Sequence, residues 1–485
     1  MDITVPVLNL GGAGAQLLVA GTGVLVMLID AIWRRGAKRW LGLLALVGLA
    51  AALIQVAGRS VSAEDAMGGM LAADGLSAAF SIILIGAGML SVLVAMDHVA
   101  REDLEPGPYY ALILFATTGA LAMAAAADLI AIFIGLELLS ISLYVLASFS
   151  RRDAASREAG LKYLLLGAFA SAFLLYGMAL LYGATGSTRL VEIAVAVRAG
   201  AAGANPLLWA GIALAAVGLG FKLALVPFHN WAPDVYQGAP ISVTAFMSVV
   251  SKAAAFAALV RLLTIALAPA APFTATLLAI LAVLTMTVGN ILALVQTEAK
   301  RLLAYSSIAQ AGYILVAAVA GSHLGASAVV FYLLGYVFTN LGAFAVLTAA
   351  QERGESQLPV GRLAGLGFRQ PWLGAALSLF LLSLTGIPLT AGFAGKFYLF
   401  GAAVQAGWTW LAVVAVLNSV ISAFYYLNLI VIMYMRDPDP AAKPARLGFP
   451  LALALVVCVA GVLVLGIVPN SAIAWARQMI GLIAG

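Results

Sequence analysis

Cysteine, histidine and glycine-rich motifs are scarce in this sequence of 485 residues, and each scarcity excludes a class of site. The single cysteine, Cys458, rules out a disulfide within the chain and an iron–sulfur cluster held by the chain's own thiolates. The three histidines, His98, His229 and His323, lack the spacing of a metal site. No phosphate-binding glycine loop follows a strand-like segment, and no basic stripe is interleaved with aromatic residues. The sequence therefore predicts neither nucleotide nor nucleic-acid binding.

Charge is the other scarcity, since charged residues make up only 9% of the chain whereas 64% of its residues are hydrophobic. A soluble domain of this length could not bury so much apolar surface, so lipid is expected to surround most of the chain. A span needs about 20 apolar residues to cross the hydrocarbon layer. Reading for such runs gives fourteen candidate spans, from 13–32 to 449–468. The sequence therefore predicts an all-α polytopic membrane protein.

Two of the candidate spans are predicted to be broken helices. The seventh, 207–228, ends at Pro227, and the twelfth, 372–402, contains Gly386 and Pro388. Proline removes a backbone donor and clashes with the preceding turn. Backbone groups freed at membrane depth are tolerated only where protein or water satisfies them. A pair of broken helices in the two halves of a chain is typical of secondary transporters.

The distribution of basic residues predicts the orientation of the chain. With the N-terminus outside, the inside loops hold sixteen of the 25 basic residues: Arg34, Arg35, Lys38, Arg39, Arg101, Arg151, Arg152, Arg157, Lys300, Arg301, Arg353, Arg362, Arg369, Arg436, Lys443 and Arg446. The outside segments hold only five: Arg59, Arg189, Arg198, Arg261 and Arg477. Because basic residues concentrate in cytoplasmic loops, this asymmetry predicts a bacterial inner-membrane protein with both termini in the periplasm.

The remaining four basic residues, Lys162, Lys222, Lys252 and Lys396, fall within or at the edge of predicted spans, and Glu137 is the one acid well inside a span. An ionisable side chain at bilayer depth costs about 2.5–3.5 kcal/mol on insertion scales, so such residues are usually functional. A lysine whose partner can move away can load and release a proton, as a pump requires. We therefore predict a proton pathway through these residues.

Less specific interpretations compete at several of these positions. A structural ion pair would also account for Lys222 or Lys396, and Lys162 lies close enough to the basic loop 150–161 to extend to the interface. His229, beside the seventh-span break, either relays protons or hydrogen-bonds backbone groups. The C-terminal segment 470–485 is amphipathic, and we expect it to dock on a neighbour or to lie at the membrane interface.

Four segments resemble subunit N of bacterial NADH:quinone oxidoreductase, respiratory complex I, whose mitochondrial counterpart is NADH dehydrogenase subunit 2. They read LKYLLLGAFASAFLLYG (161–177), HNWAPDVYQGAP (229–240), KRLLAYSSIAQAGY (300–313) and GIPLTAGFAGKF (386–397). The resemblance covers essentially the whole chain and agrees with the fourteen-span count. The stretch 229–240 is the most specific of the four.

The resemblance implies an antiporter-like fold of two inverted five-helix repeats, each with one broken helix. Its units are N-terminal helices 1–3 (1–108), a first repeat (109–263), a second repeat (273–434), and helix 14 with the C-terminal tail (435–485). It also implies partners, namely other antiporter-like and small transmembrane subunits of the membrane arm. FMN, iron–sulfur clusters, NADH and quinone are expected in partner subunits, and this chain is expected to hold no cofactor or metal.

The resemblance also assigns roles to the buried charges. Glu137 corresponds to the family's glutamate on the fifth span, Lys222 to its partner on the seventh, Lys252 to the central lysine and Lys396 to the exit-side lysine. Lys162 and His229 also fall on family positions.

We hypothesise that a proton enters from the cytoplasm near the seventh span, passes Lys252 and then Lys396, and leaves to the periplasm, while the charge of Glu137 and Lys222 gates loading of Lys252. Two alternatives stay open, a subunit of an Mrp-type cation/proton antiporter and a passive structural subunit of a membrane arm.

Overall fold

The computed structural model describes residues 10–33, 38, 40–59, 65–201, 205–438 and 447–483, and nearly all of these are helical. The N-terminal part consists of three long helices, α1 (Gly14–Ile32), α2 (Trp40–Gly58) and α3 (Gly75–Arg101). Two short antiparallel strands, β1 (Asp65–Ala66) and β2 (Leu71–Ala72), connect α2 to α3.

The remaining helices follow as two sets of similar order and a C-terminal pair. The first set is α4 (Pro106–Ala125), α5 (Leu129–Ala147), α6 (Ala154–Thr185), short α7 (Leu190–Ala196), α8 (Pro206–Leu223), short α9 (Trp231–Gly238) and α10 (Ile241–Arg261). The second set is α11 (Ala271–Leu294), α12 (Ala299–Ala318), α13 (His323–Ala350), short α14 (Leu366–Arg369), α15 (Pro371–Thr385), α16 (Ala391–Gln405) and α17 (Thr409–Met435). The C-terminal pair is α18 (Phe449–Ile467) and α19 (Pro469–Gly481).

The predicted spans correspond to these helices. Within the described residues, twelve helices are long and apolar enough to cross a membrane. The two further predicted spans are α12, which carries too many polar residues to meet that standard, and the broken helix that α15 and α16 share. The chain is a multi-pass membrane protein, and the prediction of an all-helical fold is confirmed.

The core of the molecule lies where the two sets of helices meet. Every residue of α10 is buried, and α12 and α13 are buried along almost their whole length. The peripheral helices α2, α6, α17 and α18 instead expose large apolar side chains such as Ile54, Phe169, Phe424 and Val456. An apolar exterior around a core that contains polar groups is expected when lipid is the solvent.

Both predicted breaks occur, and their local geometry matches. Helix α8 ends with Ala224 in the left-handed region (φ 57°), and the N–H of Leu225 donates to the carbonyl of Gly220 (2.8 Å). Helix α15 ends with Gly386 in the left-handed region (φ 92°), and the N–H of Ile387 donates to the carbonyl of Leu382 (3.0 Å). These bonds close each helix end in the way of a Schellman motif. After Ala224 the chain reaches Pro227 and then α9. After Gly386 it reaches Pro388 and then α16.

A second shared feature relates the two sets of helices. The carboxylate of Asp128 caps α5, and this residue forms a bridge with Arg189 beyond α6. The carboxylate of Glu298 likewise caps α12, and this residue forms a bridge with Pro359 beyond α13. In both sets, therefore, the acidic residue that caps the second helix also forms a backbone bridge with the segment that follows the third helix.

Two residues that the orientation count placed in loops are buried. Lys300 lies at the start of α12 and donates to the backbone carbonyls of Ser356 (2.6 Å) and Ala239 (3.3 Å). Arg261 lies at the end of α10 and forms a two-pronged ion pair with Asp74 (2.8 Å for each bond). Placing them in loops was wrong, because both lie within helices, where their charged groups bind Asp74 or backbone carbonyls. Five other residues of that count lie outside the described residues: Arg34, Arg35, Arg39, Lys443 and Arg446.

The amphipathic C-terminal helix α19 docks on this chain itself. It packs on α13 and α3, and the carbonyl of Leu482 accepts from the N–H of Gly75 at the start of α3 (3.1 Å). The guanidinium of Arg477 donates to the hydroxyl of Tyr398 on α16 (2.8 Å). Helix α19 thus ties one end of α3 to the second set of helices.

Candidate functional site

Lys222 lies in the last turn of α8, immediately before the break, with 2% of its surface exposed. Its ammonium donates to the hydroxyls of Ser140 on α5 (2.7 Å) and Tyr163 on α6 (3.2 Å). The rings of Tyr163 and Tyr144 also face the charge, at 5.3 and 5.9 Å from their centroids. A buried ammonium is therefore held by neutral hydroxyls and aromatic faces rather than by a carboxylate.

Glu137 lies on α5 one turn before Ser140, which is a ligand of Lys222. It is only partly buried, and its carboxylate accepts a short hydrogen bond from the hydroxyl of Ser171 on α6. In the part of the chain that the structure describes, no ion pair joins Glu137 to Lys222. Ser140 lies three residues from Glu137 on the same helix and contacts the ammonium, so the two charges are close but separate.

Lys252 lies midway along α10, the most deeply buried helix, and 2% of its surface is exposed. Its ammonium donates a short hydrogen bond to the backbone carbonyl of Ser307 on α12. The hydroxyl of Ser307 in turn accepts from Tyr336 on α13 (2.9 Å). Among the described residues, this backbone carbonyl is the one hydrogen-bond partner of the ammonium, which has three donors.

Lys396 lies just after the second break, in the first two turns of α16, and 5% of its surface is exposed. Its ammonium donates to the carbonyl of Thr385 at the end of α15 (3.0 Å) and to the hydroxyl of Ser419 on α17 (3.2 Å). The ring of Tyr313 on α12 lies 4.5 Å from the charge. The lysine thus binds a carbonyl that the break of the helix leaves free, as expected for a polar group beside a broken helix.

A set of polar side chains on α12 lies between Lys252 and Lys396, and sequence reasoning missed most of it. Ser306 hydrogen-bonds Tyr426 on α17, and Gln310 bonds both Tyr426 and Tyr332. All four are buried. A signal for them was present in the sequence, because the polar content of 300–313 makes α12 the least apolar of the long helices. The hydroxyl of Tyr332 also belongs to this set.

Lys162 does not join the buried lysines. Its side chain is 43% exposed and pairs with the carboxylates of Glu158 (2.7 Å) and Asp234 (2.9 Å). Arg301 on α12 binds the other oxygen of Asp234 (2.6 Å), so the cluster fastens α9 to α6 and α12. Burial raises the pKa of Asp234, but the hydrogen bonds from Arg301 and Lys162 outweigh burial and hold that pKa below its usual value. The contacts of Lys162 fit the interfacial interpretation.

His229 lies in the turn between α8 and α9, next to the break, and is 9% exposed. Its Nδ1 is buried without a hydrogen-bond partner. A buried unpartnered ring nitrogen is costly, so this atom has capacity for a bond that the rest of the described chain does not supply.

Comparison with known proteins identifies the family. Residues 126–422 match the transmembrane family described as NADH:quinone oxidoreductase/Mrp antiporter. The chain belongs to this family. NADH-quinone oxidoreductase subunit N of Trichlorobacter lovleyi is 46% identical to it over 490 residues, with all of both chains covered. Subunit N of Chloroflexus aggregans is 41% identical over 489 residues, again over all of both chains. The resemblance predicted from four short segments is confirmed.

Solved structures agree with this assignment. A chain of respiratory complex I from Thermus thermophilus with bound aureothin is 38% identical and superposes with a TM-score of 0.81, covering 96% of this chain and 99% of that chain. A chain of the Mrp complex from Dietzia sp. superposes with a TM-score of 0.84 but is only 23% identical, over 98% of this chain and 97% of that one. The second likeness concerns the fold alone.

In the described residues, no group of three or more histidine, cysteine, aspartate or glutamate side chains lies within reach of a common ion. The site supplies ammonium, hydroxyl and carboxylate groups, which can hold and pass protons.

Proposed function

We propose that this chain is a proton-translocating subunit in the membrane arm of an NADH:quinone oxidoreductase, working in a bacterial inner membrane. The observation that carries the proposal is the burial of Lys222, Lys252 and Lys396 in one molecule, each bound to neutral groups. Among the described residues, no carboxylate forms an ion pair with any of the three. Charges kept in this costly state are expected where ionisation has to change during function.

We also propose a direction of transport and a gating role for these groups. A proton enters from the cytoplasm near the break after α8, loads Lys252, passes towards Lys396 and leaves to the periplasm. Glu137 biases Lys222 through its charge, and the bias changes when either group gains or loses a proton. Because Lys222 is held by hydroxyls that can rotate, its contacts can change without breaking a strong ion pair.

The energy for transport is supplied by partner subunits. Oxidation of NADH and reduction of quinone take place there, at FMN and iron–sulfur clusters that this chain is proposed not to hold. The relatives that match this chain over its full length are named as subunits of that oxidoreductase, which supports the same assembly here. Contact with other membrane-arm subunits then transmits the input to the buried charges.

We also propose the organisation into units 1–108, 109–263, 273–434 and 435–485, with both termini in the periplasm. The acid-capped second helix and the matching helix ends at Ala224 and Gly386 support two equivalent repeats. The excess of basic residues in the inside loops supports the orientation. Without the buried Lys300 (counted inside) and Arg261 (counted outside), fifteen basic residues remain inside and four outside, so the excess persists. The termini themselves, 1–9 and 484–485, lie outside the described residues.

Replacement of Lys222 tests the proposal against the structural alternative. In membranes that contain the assembled complex, Lys222→Ala is expected to lower NADH-driven proton pumping and quinone reduction together, by about tenfold or ~1.4 kcal/mol of barrier. Lys38→Ala is the control, because Lys38 forms a partly exposed ion pair with Asp30 (2.7 Å) far from the buried lysines in sequence. Full activity of assembled Lys222→Ala would favour a passive scaffold. Sodium-dependent transport by the isolated chain would favour the Mrp-type alternative.

A further inference from the structure

Gln310 hydrogen-bonds Leu384, which is next to a ligand of Lys396, and Tyr426, which contacts Ser306 next to a ligand of Lys252. It lies on α12 with 1% of its surface exposed. Its Nε2 donates to the carbonyl of Leu384 (3.1 Å) and to the hydroxyl of Tyr426 (3.2 Å), and its Oε1 accepts a short hydrogen bond from the hydroxyl of Tyr332. Since a carbonyl can only accept, Leu384 fixes which end of the amide is the nitrogen.

The amide reaches residues that are adjacent in sequence to ligands of both lysines, so the connection between the two sites includes peptide links as well as hydrogen bonds. On one side, Tyr426 hydrogen-bonds Ser306, whose neighbour Ser307 presents its carbonyl to Lys252. On the other side, Leu384 precedes Thr385, whose carbonyl accepts from Lys396 (3.0 Å). Gln310 is therefore the side chain at which the polar groups around Lys252 meet those around Lys396.

The first set of helices places Lys222 and its ligands at corresponding positions. Ser140 and Gln310 each lie twelve residues after the acid that caps their helix, Asp128 or Glu298. Lys222 and Leu384 each occupy the next-to-last position of the helix before a break.

The tyrosines correspond in the same way. Tyr163 and Tyr332 each lie ten residues after the N-cap residue of their helix, Asp153 or Ser322. In the first set a lysine binds a serine and this tyrosine. In the second set Gln310, which corresponds to the serine, binds this tyrosine and the backbone carbonyl of Leu384, which corresponds to the lysine, so an amide rather than an ammonium binds the tyrosine.

We propose that Gln310 is a positioning residue that sets, through the orientation of its amide, the direction of hydrogen bonding between the polar groups around Lys252 and those around Lys396. This inference rests on the proposed function. An amide has no proton to give at ordinary pH in either orientation, so Gln310 orients the donors and acceptors around it and does not itself carry the proton. Rotation exchanges Nε2 and Oε1, and the hydroxyls of Tyr332 and Tyr426 must then exchange donor and acceptor roles to stay bonded.

The rotation couples the two sides for a physical reason. Buried polar groups without partners are costly, so both hydroxyls have to turn with the amide rather than separately. The direction of hydrogen bonding around Lys252 is thereby tied to that around Lys396. Rotation also releases the carbonyl of Leu384, which lies one residue from the carbonyl that holds Lys396.

The test uses the assembled complex in its membrane and compares Gln310→Leu, which cannot hydrogen-bond, with Gln310→Glu, which donates only when protonated. Gln310→Leu is expected to lower pumping and quinone reduction together by about tenfold, with the KM values for NADH and a short-chain quinone unchanged. Gln310→Glu is expected to retain more activity than Gln310→Leu and to gain activity as the pH falls, a dependence absent from the parent. Gln16→Leu, at another buried glutamine on α1, is the control and is expected to keep parental activity.

Two results would overturn the inference. One is parental turnover by assembled Gln310→Leu, and the other is a parental pH profile for Gln310→Glu. Lys252→Ala in the same membranes separates the causes. If Lys252→Ala loses activity while Gln310→Leu keeps it, only the role of Gln310 fails, whereas full activity in both variants means that the proposed function fails.

Discussion

At the scale of single residues, the site depends on neutral ligands for charged groups. Each of Lys222, Lys252 and Lys396 is buried against hydroxyls, carbonyls or aromatic rings. The burial of these lysines could be predicted from the sequence, since a charged residue in the middle of an apolar span lies at bilayer depth. Their ligands could not be predicted, because a serine or tyrosine on a helix gives no indication of which neighbouring helix it faces. Ser140, Tyr163 and Gln310 become part of the site only through packing.

The carboxylate of Glu137 provides a prediction at the same scale. Glu137→Gln keeps the shape of the side chain and an acceptor for Ser171 but removes the charge that lies one turn from Ser140. We expect NADH-driven pumping by the assembled complex to fall about fivefold, because Lys222 loses the charge that biases it. Glu192→Gln, at an exposed acid paired with Arg189, is the matched control. Undiminished pumping by Glu137→Gln would remove Glu137 from the gating step.

At the scale of elements, the two breaks place the lysines beside free backbone groups. Lys222 precedes the first break and Lys396 follows the second, and Lys396 binds the carbonyl of Thr385 at the helix end. The proline and glycine residues predicted both breaks correctly. The similarity of the two helix ends could not be predicted from the sequence. Alanine at 224 adopts the left-handed conformation that glycine adopts at 386, and alanine does not signal that conformation.

Gly386 offers a test of the second break. A Cβ at this position would lie 3.1 Å from Cδ of Lys396, and the left-handed backbone (φ 92°) disfavours any other residue. Gly386→Ala is therefore expected to destabilise the break by about 1–2 kcal/mol and to displace Lys396. Thermal inactivation of pumping should occur at a lower temperature than in the parent. Gly183→Ala is the control, since a Cβ there meets nothing within 4 Å, and equal inactivation of both variants would contradict this account.

At the scale of the whole molecule, buried contacts hold the N-terminal helices to the rest. The Asp74–Arg261 pair joins α3 to α10, and α19 ties α3 to α13 and α16. The apolar runs predicted the spans and their order, because lipid requires each span to be a helix of about 20 apolar residues. They did not predict these contacts. Asp74 caps α3 by accepting from the N–H of Ser77 (2.9 Å) and also pairs with Arg261.

We propose that Lys252, at the middle of the most deeply buried helix, carries the translocated proton. The most direct test measures proton uptake and NADH oxidation together in inside-out vesicles that contain assembled Lys252→Ala complex, beside the Lys38→Ala control. We expect the rates of proton uptake and NADH oxidation to fall by about tenfold or more in Lys252→Ala and to stay parental in the control. Parental rates of both processes in assembled Lys252→Ala complex would contradict it.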